Sequence, residues 1–166
     1  MGSGIEYKCS KCGKEYEVCC GVGFLFPQVY EGLMNDIKSG KYGQGWKKLA
    51  LSEDTIAIDA VSYVYVCKKC GFWAVEPGLS LYVANDSKAV KEYLQSRHWT
   101  AGHDGTFVTF SELRQDYHIL KRRVHKCAKC KGIMHKATEY EEYNLKCPYC
   151  GNVPDKNTIR GEFRWD

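Results

Sequence analysis

The chain has 166 residues, 44% of them apolar, 27% charged and 13% aromatic, with a net charge of +4 at pH 7. This composition can bury a core, which excludes a disordered chain, and the length suits one domain or two small ones. No apolar run approaches the roughly 20 residues that cross a bilayer, and the N-terminus lacks the layout of a signal peptide, so a cytoplasmic chain with no membrane partner is expected.

Met1-Gly2-Ser3-Gly4 reads as an expression scar ahead of a natural start near Ile5 and is left out of the expected fold. Residues 5–18 alternate around Cys9 and Cys12, with Tyr7, Tyr16 and Val18 as strand formers, and predict a hairpin. Pro27 suits the first turn of a helix over about 27–39, with Val29, Leu33 and Ile37 at helical spacing and Gly40 as its stop. Residues 38–48 hold three glycines, four lysines and two aromatics and predict a mobile loop. Strand chemistry returns over 56–66, and short strands at 72–75 and 79–83 flank the Pro77-Gly78 turn signal. Ser87 can cap a helix over 88–97, with Val90, Tyr93, Leu94 and Arg97 along one side. After a loop through Gly102 and Gly105, Thr109 and Glu112 make a capping box for a helix over 110–123, striped by Leu113, Tyr117, Leu120 and Val124.

Ten cysteines without a secretion signal point to metal or redox chemistry rather than disulfides. Eight form C-x-x-C pairs: Cys9/Cys12, Cys67/Cys70, Cys127/Cys130 and Cys147/Cys150. Two intervening residues let a tight turn present both sulfurs to one ion, and Gly13, Gly71 and Gly151 supply the φ > 0 exit. After Cys130 the glycine comes one residue later, at Gly132. Pairing in sequence order joins the first two pairs across the 54 residues 13–66 and the last two across the 16 residues 131–146. Cross-bracing, first with third and second with fourth, uses the same ligands. Either way, four thiolates close a tetrahedral site with no position for substrate, so two structural zinc ions per chain are expected. Cys19 and Cys20 are left over. Neighbouring cysteines form no unstrained disulfide, so core or free thiols are expected.

Cys127-Ala-Lys-Cys130 with Cys147-Pro-Tyr-Cys150-Gly151, and Cys9-Ser-Lys-Cys12-Gly13 with Cys67-Lys-Lys-Cys70-Gly71, resemble the knuckles of zinc-ribbon (rubredoxin-like) proteins. The arrangement also resembles small bacterial proteins with two such ribbons, a likeness that implies a fold and no activity. The expected architecture is α+β, with two small β zinc ribbons joined by a helical middle. Ribbon 1 would occupy 5–84 with the insertion 13–66, the helical segment 85–124, and ribbon 2 125–166. Cys147-Pro-Tyr-Cys150 also looks like a glutaredoxin active site, but only 16 residues follow Cys150, too few for that fold.

Residues 121–136 carry seven Lys/Arg and no acid. Lys121, Arg122, Arg123, Lys126, Lys129 and Lys131 are therefore candidate nucleic-acid contacts, with Tyr140, Tyr143 and Tyr149 as stacking partners. The competing reading is that lysines neutralise the formal −2 of a four-thiolate zinc site. An acidic protein partner is a third. His98, His103, Asp104 and His118, with Cys19 or Cys20, are the residues an enzyme would use, and His118 and His125 sit seven apart, but no spacing matches a metal or catalytic motif. Gly40 to Gly45 has the outer spacing of a phosphate loop but places Trp46 where lysine is needed. The leading expectation is a non-enzymatic zinc module that recognises nucleic acid or a protein. The alternatives are a zinc-stabilised enzyme and an interaction adaptor.

Overall fold

The structure, a computed structural model, describes residues 2–97, 107–155 and 158–165. The expected histidine loop, with His98, His103 and Asp104, lies outside them. In chain order the elements are β1 (Gly2–Lys8), β2 (Glu15–Cys20), α1 (Phe26–Ser39), α2 (Gln44–Ala50), β3 (Ala57–Ile58), β4 (Ser62–Cys67) and β5 (Trp73–Pro77). There follow β6 (Leu81–Ala84), α3 (Ser87–Ser96), α4 (Phe110–Asp116), β7 (Tyr117–Lys121), β8 (Met134–Lys136), α5 (Glu139–Glu142) and β9 (Ile159–Trp165). Among the described residues the fold is α+β, with three antiparallel three-stranded sheets: β2-β1-β9, β5-β4-β8 and β3-β6-β7.

The chain divides into two compact units, each assembled from separated segments: residues 1–24, 61–77 and 124–166 form the first, and 25–60 and 78–123 the second. The first unit is β-rich. Its expected opening hairpin forms, with Tyr7 opposite Tyr16 and Ile5 opposite Val18. The far edge of β1 is covered by β9, which puts Gly2 opposite Trp165 and Gly4 opposite Phe163. A Cβ at either glycine would run into the facing ring, so aromatic side chains lie flat on bare backbone. The exclusion of the first residues from the fold is thereby corrected for residues 2–4, which are integral to β1.

The second unit is built around Ile37, Ile58 and Leu81, all fully buried, with Phe107, Val108 and Leu113 packed in the same cluster. Burying each such side chain contributes roughly 1.5–3 kcal/mol. Helix α1 starts with Pro in its first turn and ends at Gly40 in the left-handed conformation, as the sequence signals demand. Its buried face is Tyr30, Met34 and Ile37, whereas Val29 is exposed. Ile37 of the expected stripe is thus at the core with Leu33 packed at its edge, while Val29 gives way to Tyr30 and Met34. Helix α2 replaces the second half of the expected loop: Trp46, Leu49 and Ala50 reach the core, and that packing outweighs the cost of Gly45. Asp86, one residue before Ser87, caps α3 through the N–H groups of Lys88 and Ala89.

Two expectations of a single continuous element fail. Residues 56–66 split into β3 and β4, which belong to different sheets and different units. The helix expected over 110–123 has its Thr109–Glu112 capping box but ends at Asp116, and the chain continues as strand β7 against β6. Tyr117 stays buried, while Leu120 and Val124, the end of the supposed stripe, are exposed. Tyr117-His118-Ile119 is rich in strand formers, and pairing with Val83 and Tyr82 overrides the helical spacing. His118 and His125 accordingly share no helix: His118 meets Asn85 in the second unit, and His125 is buried in the first.

Candidate metal centres

Each C-x-x-C pair is one backbone turn repeated four times. In every case the N–H four residues beyond the first cysteine donates to that cysteine's carbonyl: Gly13 to Cys9, Gly71 to Cys67, Lys131 to Cys127 and Gly151 to Cys147, at 2.8–2.9 Å. The first cysteine's own N–H returns to the carbonyl one residue further on. Closing this loop forces the fourth residue into the left-handed region, at φ 71, 69, 58 and 72° respectively. Three turns place a glycine there and the third places Lys131, which is why Gly132 looks displaced in the sequence.

The turns assemble in a nested order. Cys9, Cys12, Cys147 and Cys150 form one cluster, and Cys67, Cys70, Cys127 and Cys130 the other, with all four sulfurs of each set within 4.8 Å of one another. The sequence-order pairing and the cross-braced alternative are both corrected: the outermost turns meet each other, and so do the inner two. The cause is strand pairing. β9 lies against β1, which brings the C-terminal segment to the hairpin that carries Cys9 and Cys12. β8 lies against β4, which brings the Cys127–Cys130 turn to the hairpin that carries Cys67 and Cys70.

Burial follows the same rule in both clusters. The leading cysteines, Cys9 with Cys147 and Cys67 with Cys127, are buried, and each pair belongs to an apolar cluster. Cys12, Cys70 and Cys150 are exposed and Cys130 is half-buried. Stacked rings of Tyr7 and Tyr16, 4.9 Å apart, brace the outer cluster, and their hydroxyls donate to the carbonyls of Glu142 and Leu145 on the approach to Cys147. Trp73 Nε1 of β5 donates to the Lys146 carbonyl at 2.7 Å, tying the inner hairpin to the outer cluster. At the inner cluster, His125 stacks on Tyr65 and its Nδ1 lies 2.6 Å from a Glu76 carboxylate oxygen.

The sulfur geometry suits a tetrahedral ion. Cross-turn Sγ–Sγ distances are 3.6 and 3.8 Å in the outer cluster and 3.5 and 3.6 Å in the inner one. Four sulfurs at about 2.3 Å from a central ion sit about 3.8 Å apart, whereas a disulfide needs about 2.0 Å. Backbone N–H groups of Cys12 and Lys11 hold the Cys9 thiol down at about 6. At Cys67 burial works against ionisation, but the N–H groups of Cys70 and Lys69 outweigh it, and that thiol also sits at about 6. Cys150 and Cys130 are favoured by the N–H groups of Asn152 and Gly132 respectively, yet proximity to the other sulfurs pushes both up to about 11. A set in which some thiols ionise readily and the last holds its proton becomes four thiolates when a cation shares the centre. Both clusters can therefore hold a metal ion, and the ligand pattern is compatible with zinc ribbons.

Cys19 and Cys20 join neither cluster. Adjacent strand residues point to opposite faces, and only Cys20 packs on the apolar cluster, where burial and Glu142 push its thiol up to about 11. The basic stretch at 121–136 is divided between the units. Lys121 and Arg123 lie over the rings of Trp46 and Tyr42 in the second, with Arg122 exposed beside them. Lys126, Lys129 and Lys131 are exposed in the first. Of the three tyrosines, Tyr140 and Tyr149 are exposed, and Tyr143 donates to Glu162. No helix among the described residues is long and apolar enough to cross a membrane. Comparison with protein-family models, curated proteins and solved structures found no match.

Proposed function

We propose that the chain is a zinc-dependent recognition module in which two structural ions, one in each four-cysteine cluster, hold the first unit together and its surface binds a partner. The observation that carries this reading is the convergence of two complete sets of four sulfurs from turns more than fifty residues apart. All-thiolate ligation favours a soft or borderline ion, and a d¹⁰ ion with four protein ligands keeps no open position for substrate. The reading is thus of a scaffold rather than an enzyme. Elemental analysis of the purified full chain tests it. Two zinc per chain, and loss of far-UV signal with a fall in melting temperature on chelation, are expected. A chain that carries iron instead, or melts unchanged after its metal is stripped, would overturn it.

A further inference from the structure

The two clusters are wrapped in lysine. Taking each turn from one residue before its first cysteine to the residue after the left-handed position, the windows 8–14, 66–72, 126–132 and 146–152 hold nine lysines and no Asp or Glu. Lys8 is paired with Glu15 at 3.2 Å. Among the described residues the other eight form no ion pair within 4 Å. Two zinc-loaded four-thiolate sites carry about four formal negative charges between them, so neutralising the thiolates accounts for only about half of these lysines. The remainder is a concentration of positive charge without an ion-pair partner among the described residues.

Four of these lysines line two adjoining hollows. A hollow of about 480 Å³ runs between the exposed ligands Cys70 and Cys150, walled by Phe72, Trp73 and Tyr149 and by Lys129 and Lys146. This volume falls among those of small-ligand sites, roughly 300–1,000 Å³. Lys129 Nζ stands 5.1 Å from the Phe72 ring centre, and Lys14 Nζ 4.6 Å from that of Tyr149, which is 57% exposed. Across Gly71 a second hollow opens, lined by Lys68, Lys69 and again Lys146. Its one carboxylate, Glu141, is engaged by His135 Nε2 at 2.8 Å and by the Thr138 N–H. Lys146 lies over Gly71 so closely that a Cβ there would sit 2.6 Å from its ammonium. The bare backbone lets one lysine serve both hollows.

We infer that this lysine-and-aromatic groove between the two metal centres binds single-stranded nucleic acid, with Lys129, Lys146, Lys68 and Lys69 on phosphates and Tyr149 stacking on an unpaired base. The inference rests on both sites being zinc-loaded. It also moves the contact from Lys121, Arg122 and Arg123, where the run of basic residues begins, to the first unit. A duplex hides its base faces, whereas a single strand offers one to each exposed ring.

Fluorescence anisotropy with labelled oligothymidylate, oligouridylate and a duplex, on protein whose zinc content is measured in the same sample, tests the inference. Both single strands should bind at low salt with a log–log salt slope of about −3, from four phosphates at about −0.7 each. The ratio of the two single-strand affinities decides which of DNA and RNA is preferred, and the duplex should bind about tenfold less tightly or worse. Tyr149→Ala should weaken binding by about 5- to 150-fold. Lys129→Glu with Lys146→Glu should weaken it by tenfold or more, with two zinc retained. Should that pair disturb the fold, Lys129→Ala with Lys146→Ala must shift the slope by about 1.4. No binding by fully zinc-loaded protein would overturn the inference while leaving the zinc reading intact. So would groove variants that bind as wild type, or polyglutamate competing as well as the oligonucleotides. A chain without two zinc fails the earlier reading instead, and the metal content reports that separately.

Discussion

Replacing all four outer cysteines by serine (Cys9, Cys12, Cys147 and Cys150) distinguishes nested ligation from every other pairing. The inner cluster then keeps a full ligand set, and the variant should carry one zinc. Sequence-order or cross-braced pairing would lose half of each site, leaving none. A companion variant with serine at Cys9, Cys12, Cys67 and Cys70 should carry no tightly bound zinc, whereas sequence-order pairing would leave it one. The energetic consequence follows from chain length. The outer cluster joins Cys12 to Cys147, 135 positions apart, and the inner one joins Cys70 to Cys127, 57 apart. With the inner site closed, the outer site still closes the 54 residues 13–66 and the 16 residues 131–146. For a loop of about 70 residues, a cross-link contributes about 4 kcal/mol at 25 °C by chain entropy alone. The whole ion contributes more, on the order of 10–16 kcal/mol of apparent binding energy. The loss should fall on sheet β2-β1-β9, because the outer ion ties the β1–β2 hairpin to the segment that leads into β9. Amide exchange on the full-length variant should show β1, β2 and β9 losing protection while β4, β5 and β8 keep it. An outer-cluster variant that binds no zinc, or one whose β4 and β5 exchange as fast as β1, would refute the nested scheme.

Other consequences are local. Lys131 is the non-glycine among the four left-handed turn residues, and relieving a cost of about 1–2 kcal/mol against the about 0.5–1 kcal/mol entropy of a new glycine makes Lys131→Gly stabilising by up to about 1.5 kcal/mol. Gly13→Ala and Gly151→Ala should each cost about 1 kcal/mol; a Cβ there meets nothing within 4 Å, so the loss is conformational, and thermal melts at fixed zinc should place both below wild type and Lys131→Gly above it. In the second unit, burial raises the Glu112 carboxyl, but the Thr109 cap and Arg97 hold it below its ordinary 4.5 overall. Its contribution is therefore fully present above 4.5 and drains away as the pH falls through the lowered folded value. Glu112→Gln should cost about 1–3 kcal/mol at neutral pH, with the difference from wild type closing in acid denaturation. Leu81→Ala should destabilise the second unit by about 2–5 kcal/mol while leaving two zinc per chain, read by calorimetry and elemental analysis together.

Features whose cause lies within a few residues are legible in the sequence. The C-x-x-C turns need only their own backbone hydrogen bonds. The Thr109–Glu112 box and the Gly40 stop are equally self-contained. The partner of each turn is illegible, since all four have the same local chemistry and choose among themselves through strands far away in sequence. One signal is present. Residues 159–165 alternate Ile, Gly, Phe and Trp with Arg, Glu and Arg, a half-buried strand that needs a neighbour. The free edge of β1 is such a neighbour, and pairing them carries Cys147 and Cys150 to Cys9 and Cys12. The α2 and β7 errors have the opposite character. Glycines at 43 and 45 argue against a helix, and apolar spacing at 113, 117, 120 and 124 argues for one, yet core packing of Trp46 and pairing with β6 decide otherwise.

On the proposed reading, nesting also changes what the lysines are for. Had each site been a separate ribbon, its few lysines would have balanced its own −2 charge and the basic character would need no partner. Nested ligation places four turns in one unit, so that Cys70 and Cys150, ligands of different ions, wall the same groove. Lys129 from the third turn and Lys146 from the fourth then face that groove together, though sixteen residues of chain separate their turns. Such convergence cannot survive the loss of one site. Outer-cluster variants should therefore lose oligonucleotide binding even where the inner zinc, the inner hairpin and Lys68, Lys69 and Lys129 remain in place.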